Sequence, residues 1–265
     1  MTDERDLADR ADAAYYDWWR VWATSVAGGS VREAGGLLLA ATGAPQEWWN
    51  VAAVTRPLDD PPAAIREAID HFRGLRQPFI LRIRDGLDPD AERAAEAAGL
   101  RYTDTLPGMV LQPIPPVPPA PAALEIRRVI TPDGMAAYAE VAARAFEQDA
   151  ATTRRLLPMR LLEHPRWRSY LGYVDGRPAA CSSLLVTDGV AGIYFVGTLP
   201  EYRRRGYGEA LTWHAVREGA AAGCTLAVLQ PSELGQPVYA RMGFRVTVGY
   251  KTFVLPQILA GQGWP

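Results

Sequence analysis

Lysine is almost missing from this chain of 265 residues. Of its 28 basic residues, all but Lys251 are arginine. With the abundant alanine, that skew reflects a GC-rich genome more than a function. An excess of charge of one sign is missing too. The 30 acidic residues leave a formal net charge of -2, which argues against a general nucleic-acid binder but permits a small basic site. Cysteine occurs at Cys181 and Cys224 only, without CxxC or Cys/His ligand spacing. That excludes a disulfide framework and a zinc site, so no metal is expected, and both thiols read as small buried residues. No apolar run reaches the roughly 18 residues of a membrane span. The opening MTDERDLADRADAAYY is acidic and lacks the apolar centre of a signal peptide. The expectation is a cytoplasmic protein with neither a nucleic-acid nor a membrane partner.

Apolar residues, by contrast, make up 48% of the chain, enough for a sizeable core. The length suits one large domain or two small ones. LQPIPPVPPAPAAL, Leu111 to Leu124, carries six prolines. Proline removes backbone donors and favours an extended polyproline segment, so this reads as a semi-rigid linker. The expected organisation is a domain over 1–112, a linker over 113–123 and a second domain over 124–265.

The second domain alternates. LEIRRVI reads as a strand, and Thr131 and Asp133 cap a helix after it. ATTRRLLPMRLLEH is a helix broken at Pro158. Three strands follow, with Asp175-Gly176 and Asp188-Gly189 as hairpin turns between them. Then come a helix from about Gly206 to Ala222, the buried strand CTLAVLQ, a short helix ended by Gly243, and the strand FRVTVGYKTFVL. The order is β-α-α-β-β-β-α-β-α-β. The first domain reads as a worn copy. AERAAEAAGLRYTDTLPGMVL (Ala91 to Leu111) aligns without gaps on GQPVYARMGFRVTVGYKTFVL (Gly235 to Leu255). NVAAVTRPLDDPPAAIREAIDHF mirrors the later strand-loop-helix, but its loop is acidic, rich in proline and free of glycine.

The chemistry concentrates in VGTLPEYRRRGYGEALTWHAV, Val196 to Val216. Val196, Gly197 and Thr198 end a strand, Pro200 breaks it, and a helix starts near Gly206. The first turn of a helix has backbone N–H groups without intrahelical partners and the positive end of the macrodipole. Such a place binds phosphate. Gly206 and Gly208 let the backbone approach the anion, and the arginines add forked donors. The stretch reads as a pyrophosphate cradle. A Walker loop is excluded because no Gly-Lys is followed by Ser or Thr. A dinucleotide fingerprint fails because Leu211 stands where its third glycine belongs, and Gln230 where an acid should end the next strand.

Arg203-x-x-Gly206-x-Gly208 resembles the acyl-CoA loop of the GNAT acyltransferase superfamily, a Gln or Arg, two residues, Gly, one residue, then Gly or Ala. A second block, QPSELGQPVYARMGFRV, resembles that superfamily's next motif, in which a tyrosine follows seven residues after a polar one and Gly-Phe comes after it. The resemblance spans about 124–255 in element order. It implies an α/β (α+β) fold of two tandem acyl-CoA N-acyltransferase-like domains, each a mixed, mostly antiparallel sheet flanked by helices, the first degenerate as in the mycothiol synthases. It also implies roles. Backbone groups of Val196, Gly197 and Thr198 would pair with the pantetheine arm, and the loop at Arg203 would carry the cradle. Amides of Arg204, Arg205, Gly206, Tyr207, Gly208 and Glu209 would hold the pyrophosphate. Ser232 would touch the cofactor, and Tyr239 would protonate the leaving thiolate. Acetyl-CoA would be the co-substrate and a small-molecule or peptide amine the acceptor.

A general base is not assigned. The position where some relatives carry Glu is Ala227, and Glu147, Asp149, His164 and Tyr194 are candidates whose commoner roles are structural. The aromatics Tyr15, Tyr16, Trp18, Trp19, Trp22, Trp48 and Trp49 read first as packing. Ala95 stands in the first domain where Tyr239 stands in the second, so catalysis is expected in the second alone. Two other function classes remain open. One is a non-catalytic acyl-CoA-binding or regulatory module; the other is an interaction protein whose arginine loop takes an anionic partner. A homodimer through a strand edge or the linker is a further option.

Overall fold

The computed structural model describes residues 3–259. In chain order the first repeat holds α1 (Glu4–Ser25), β1 (Ser30–Ala34), β2 (Leu37–Ala41), β3 (Val51–Val54), α2 (Pro61–Leu75), β4 (Ile80–Arg84), α3 (Pro89–Ala97) and β5 (Arg101–Leu111). The second holds β6 (Glu125–Arg128), α4 (Pro132–Ala145), α5 (Ala150–Leu156), α6 (Arg160–Glu163), β7 (Trp167–Val174), β8 (Arg177–Thr187), β9 (Val190–Thr198), α7 (Tyr207–Ala221), β10 (Leu226–Leu229), α8 (Gln236–Arg241), β11 (Arg245–Val254) and α9 (Pro256–Leu259). No regular element lies between Gln112 and Leu124, as its prolines dictate.

Two compact units result, and they are cut by packing rather than by the linker. One is Trp19–Gly108 with the chain from Thr247 onward; the other is Met109–Val246 with the chain up to Trp18. In the first, β1, β2 and β3 are antiparallel neighbours, β3 and β4 run parallel around α2, and β11 closes the sheet antiparallel to β4. In the second, β6 to β9 are antiparallel, β9 and β10 run parallel around α7, and Met109–Leu111 of β5 closes the sheet antiparallel to β10. The two plans match, which is the internal repeat in structural form. Each repeat's closing strand serves the other repeat's unit. The sheets are mostly antiparallel with one parallel pair each, flanked by helices.

In the second unit the two hairpin turns take the expected form. Asp175 and Gly176 have φ of 49° and 72°, and Asp188 and Gly189 have 44° and 75°. Two successive residues at positive φ give the turn that matches strand twist. Side chains then alternate across the sheet. Ala191, Ile193, Ala227 and Leu229 face a core that includes Ala210, Leu211, Ala215 and Val216 of α7. Val190, Leu226 and Val228 face the other way, against Leu7, Ala11 and Ala14 of α1. Those three recur at helical spacing on one stripe of α1. Polar contacts fix the same seat. Asp17 accepts from Arg166 Nη1 at 2.5 Å and from Thr187 Oγ1 at 2.6 Å, and Tyr194 donates to the Ala14 carbonyl at 3.1 Å. The start of α1 therefore belongs to the unit whose other residues come a hundred positions later.

Candidate functional site

The site lies where β9 parts from β10. Their parallel pairing runs from Leu226↔Val190 to Val228↔Gly192, while β9 continues to Thr198. The register between β8 and β9 shifts just beyond, from Ser183↔Tyr194 to Cys181↔Gly197, so β9 carries one extra residue. Phe195 sits in that bulge with φ of 52°. A bulge bends its strand and adds twist. Past Gly192, the edge of β9 that faced β10 is left without its ladder neighbour, and an extended ligand can pair there as an added strand. Val196, Gly197 and Thr198 occupy this stretch, with Gly197↔Cys181 and Thr198↔Ala180 securing the opposite edge.

Beyond Thr198 the chain makes a short turn at Pro200–Tyr202 and enters α7. Arg204 and Gly206 have φ of 64° and 78°. Left-handed residues alternating with ordinary ones turn successive N–H groups into one concavity, which suits an anion. The first helical bond runs from Ala210 N–H to the Gly206 carbonyl, so the amides of Tyr207, Gly208 and Glu209 precede the ladder and have no acceptor within the helix. Gly208 matters for approach. A Cβ there would lie 3.2 Å from Thr198 Oγ1, so its absence lets α7 start against the end of β9. Gly197 is tighter, since a Cβ would come within 2.8 Å of the Ala145 Cβ.

The named side chains divide by role. Arg204 and Arg205 are exposed at the loop, with the Arg205 guanidinium 5.9 Å from the centre of the Tyr202 ring. Arg203 is turned back. Its Nε donates to the Thr198 carbonyl at 3.2 Å and its Nη2 to the Ala145 carbonyl at 3.0 Å, tying the loop to the end of α4. Tyr207 is buried in the core under α7, which leaves its amide alone at the loop. Glu209 is half-buried in the first turn. Ser232 is exposed, and its Oγ accepts from Gly235 N–H at 3.3 Å at the entry to α8. Tyr239 is half-buried against the core on the α7 face, its ring edge-on to Phe244. Burial pushes its hydroxyl up to about 12, a hydrogen bond with Thr212 offsetting part of the rise. A phenol so held stays protonated and can donate.

The structure also separates the candidate bases. Ala227 is buried within β10. Tyr194 has its hydroxyl committed to Ala14, and burial raises it far above the ordinary tyrosine value. Asp149 caps α5 by accepting from Thr152 N–H at 2.7 Å, which lowers its carboxyl. Glu147 is exposed at φ of 55°. His164 is half-buried, with Nδ1 enclosed and unpartnered, and burial lowers it below the usual histidine value, helped by Arg166. Both thiols are buried, and burial pushes Cys181 up to about 12. Among the described residues no group of three His, Cys, Asp or Glu is placed to hold a metal ion, and no helix is long and apolar enough to cross a membrane. Two features escaped sequence reasoning. Arg203 looked like one of three equivalent phosphate donors, and the seat of α1 rests on pairings across about the whole second repeat, which no local pattern reports.

Comparison with known proteins agrees with this geometry. Residues 131–244 match the model of the acetyltransferase (GNAT) family. No curated protein matches the sequence. Among solved structures, a GCN5-related N-acetyltransferase from Kribbella flavida is 22% identical with a TM-score of 0.72, over 93% of this chain and 95% of its own. A GCN5-related N-acetyltransferase from Sphaerobacter thermophilus is 17% identical at 0.61, over 82% and 76%. A tandem GNAT protein from the clavulanic acid biosynthesis pathway is 18% identical at 0.58, over 92% and 94%. At these identities the structures speak for the fold, and they do so over nearly the full length of the chain. Residues 131–244, with the loop at α7 and the parted strands inside them, thus form a domain of the GNAT acetyltransferase family, and the chain as a whole shares the fold of these structures.

Proposed function

We propose that the protein is an N-acetyltransferase that moves the acetyl group of acetyl-CoA directly to an amine, with the chemistry confined to the unit built on 109–246. The observation that carries this reading is the joint placement of the cradle at α7 and the free edge of β9, which leads from the cradle to the gap beside β10. The amides of residues 204–209 hold the pyrophosphate, and Val196, Gly197 and Thr198 pair with the pantetheine arm. The thioester then lies in the gap, near Tyr239.

The amine nitrogen's lone pair forms the N–C bond on the thioester carbon, and the C–S bond breaks. The thiolate takes the Tyr239 hydroxyl proton. The proton shed by nitrogen returns through water to the tyrosinate, so the net change is one N–H exchanged for one S–H. Backbone N–H groups on the open edge of β9 polarise the carbonyl as charge gathers on its oxygen.

Calorimetric titration with acetyl-CoA, CoA and ATP tests the reading, alongside the double variant Arg205→Glu, Gly206→Asp. Micromolar binding of acetyl-CoA, lost in the variant, followed by thiol release with an amine, is the expected result. Binding with no thiol release from any amine would instead favour a non-catalytic acyl-CoA-binding module. No binding, or equal binding of ATP, would overturn both.

A further inference from the structure

Thr212 links the loop at α7 to Tyr239. It lies in the second turn of α7, four residues after Gly208, and is fully buried. Its Oγ1 donates to the Gly208 carbonyl at 2.9 Å. The same hydroxyl makes a hydrogen bond with Tyr239. Two other neighbours hold the Tyr239 ring at that place. Phe244 meets it edge-on, with ring centres 6.0 Å apart. A Cβ on Gly235 would lie 3.0 Å from the Tyr239 Cε2, so glycine there makes room for the ring. Leu211, Ala215 and Val216, the buried neighbours of Thr212 on α7, are apolar and belong to the core that Tyr239 packs against. A hydroxyl has one proton and two lone pairs. While that proton lies on the Gly208 carbonyl, Thr212 can only accept from Tyr239. The carbonyl does not depend on it, because the helical ladder also brings the Thr212 backbone N–H to the same oxygen. The hydroxyl proton is therefore free to turn.

Resting on the acetyl-transfer reading, we infer that Thr212 is a positioning residue for that reaction: its hydroxyl holds the Tyr239 hydroxyl in place before transfer, and turns its own proton from the Gly208 carbonyl onto the Tyr239 oxygen once the thiolate has taken the phenol's proton. In that step the O–H bond of Tyr239 breaks and an S–H bond forms. At Thr212 no covalent bond changes; one hydrogen bond changes partner. When water returns a proton to the tyrosinate, Thr212 turns back to Gly208. The need for such a partner follows from the surroundings. The tyrosinate forms against an apolar core, where a charge without a hydrogen bond is costly. A hydrogen bond to a charged oxygen is also stronger than one between neutral groups, so Thr212 favours the tyrosinate more than the phenol it started from. Its effect is exerted through Tyr239 alone.

The test measures thiol release from acetyl-CoA by the full chain with ethylamine, 2-phenylethylamine and spermidine, with acetyl-CoA binding followed by calorimetry. The variants are Thr212→Val, Thr212→Ser, Tyr239→Phe and the double variant Thr212→Val, Tyr239→Phe. Thr212→Val keeps the shape of the side chain and removes its hydroxyl. It should lower kcat about tenfold or more, the scale of one hydrogen bond to a charged group, while KM and acetyl-CoA binding stay unchanged. Thr212→Ser should recover most of the rate. In the Tyr239→Phe background, Thr212→Val should cost nothing further, because the two hydroxyls act as one unit; a loss through packing would add in full. A kcat for Thr212→Val equal to or above that of the unaltered protein, or a loss that persists in full in the Tyr239→Phe background, would overturn the role of Thr212 alone. An undiminished kcat in Tyr239→Phe, no thiol release with any of the three amines, or failure to bind acetyl-CoA would overturn the underlying reading with it. If Thr212→Val does not fold, Thr212→Ala carries the same comparison.

Discussion

Arg203 and Arg205 are two positions apart in one arginine run, yet they face different tasks. Arg203 spends its fork on the carbonyls of Thr198 and Ala145. Each such bond contributes about 1 kcal/mol net, less where water competes. Arg203→Met should therefore lower stability by about 1–2 kcal/mol, a fall of roughly 2–8 °C in Tm for a chain of this size. Acetyl-CoA affinity should fall less than in Arg205→Glu. Thermal unfolding and calorimetry on both variants check this; an unchanged Tm with a large loss of affinity would make Arg203 a phosphate ligand instead. Tyr239 is tested by pH. Its hydroxyl, pushed up to about 12 by burial, keeps its proton through the range where an ordinary tyrosine loses it. The rate should show no alkaline fall from this group near pH 10, and Tyr239→Phe should lower kcat by about 100-fold or more.

At the scale of elements, the junction from β9 to α7 depends on backbone geometry more than on charge. Gly206 needs φ of 78°, which costs an L-residue roughly 1–2 kcal/mol. Gly206→Ala should weaken acetyl-CoA binding by about tenfold while leaving the circular dichroism spectrum unchanged. Undiminished binding would show that the left-handed turn is not what shapes the cradle. This junction was legible in the sequence because its signals are local. Pro200 stops the strand, the glycines mark the turn, and the apolar spacing after Gly206 switches to helical. The hairpins at Asp175-Gly176 and Asp188-Gly189 were legible for the same reason. Arg203 was not, because a run of three arginines does not say which one folds back; the partner carbonyl at Ala145 is 58 positions away. The parting of β9 from β10 was equally hidden, since nothing local in IYFVGT marks Phe195 as the extra residue that bends the strand.

The whole molecule departs most from what the linker suggests. Proline in 113–121 marks a real break in regular structure, but packing joins residues from both sides of it. The unit that carries the cradle takes its closing strand from Met109–Leu111 and one apolar face's cover from α1. Leu7 is 1% exposed, and burying such a side chain contributes about 1.5–3 kcal/mol. Ala11, Ala14 and Tyr15 are buried beside it, against a net stability of about 5–15 kcal/mol for an ordinary domain. A chain cut to residues 124–265 would keep every motif of the proposed acyl-CoA site and lose all of these contacts. It should be insoluble or lack a cooperative thermal transition, and it should not bind acetyl-CoA. A chain lacking only residues 1–18 should keep the strand from β5 but unfold at least 10 °C lower, by the conversion of roughly 2–4 °C per kcal/mol. Cooperative unfolding of the 124–265 chain near the Tm of the full protein would mean that the second repeat is a self-sufficient domain. The exchange of closing strands would then be incidental to the stability of the site.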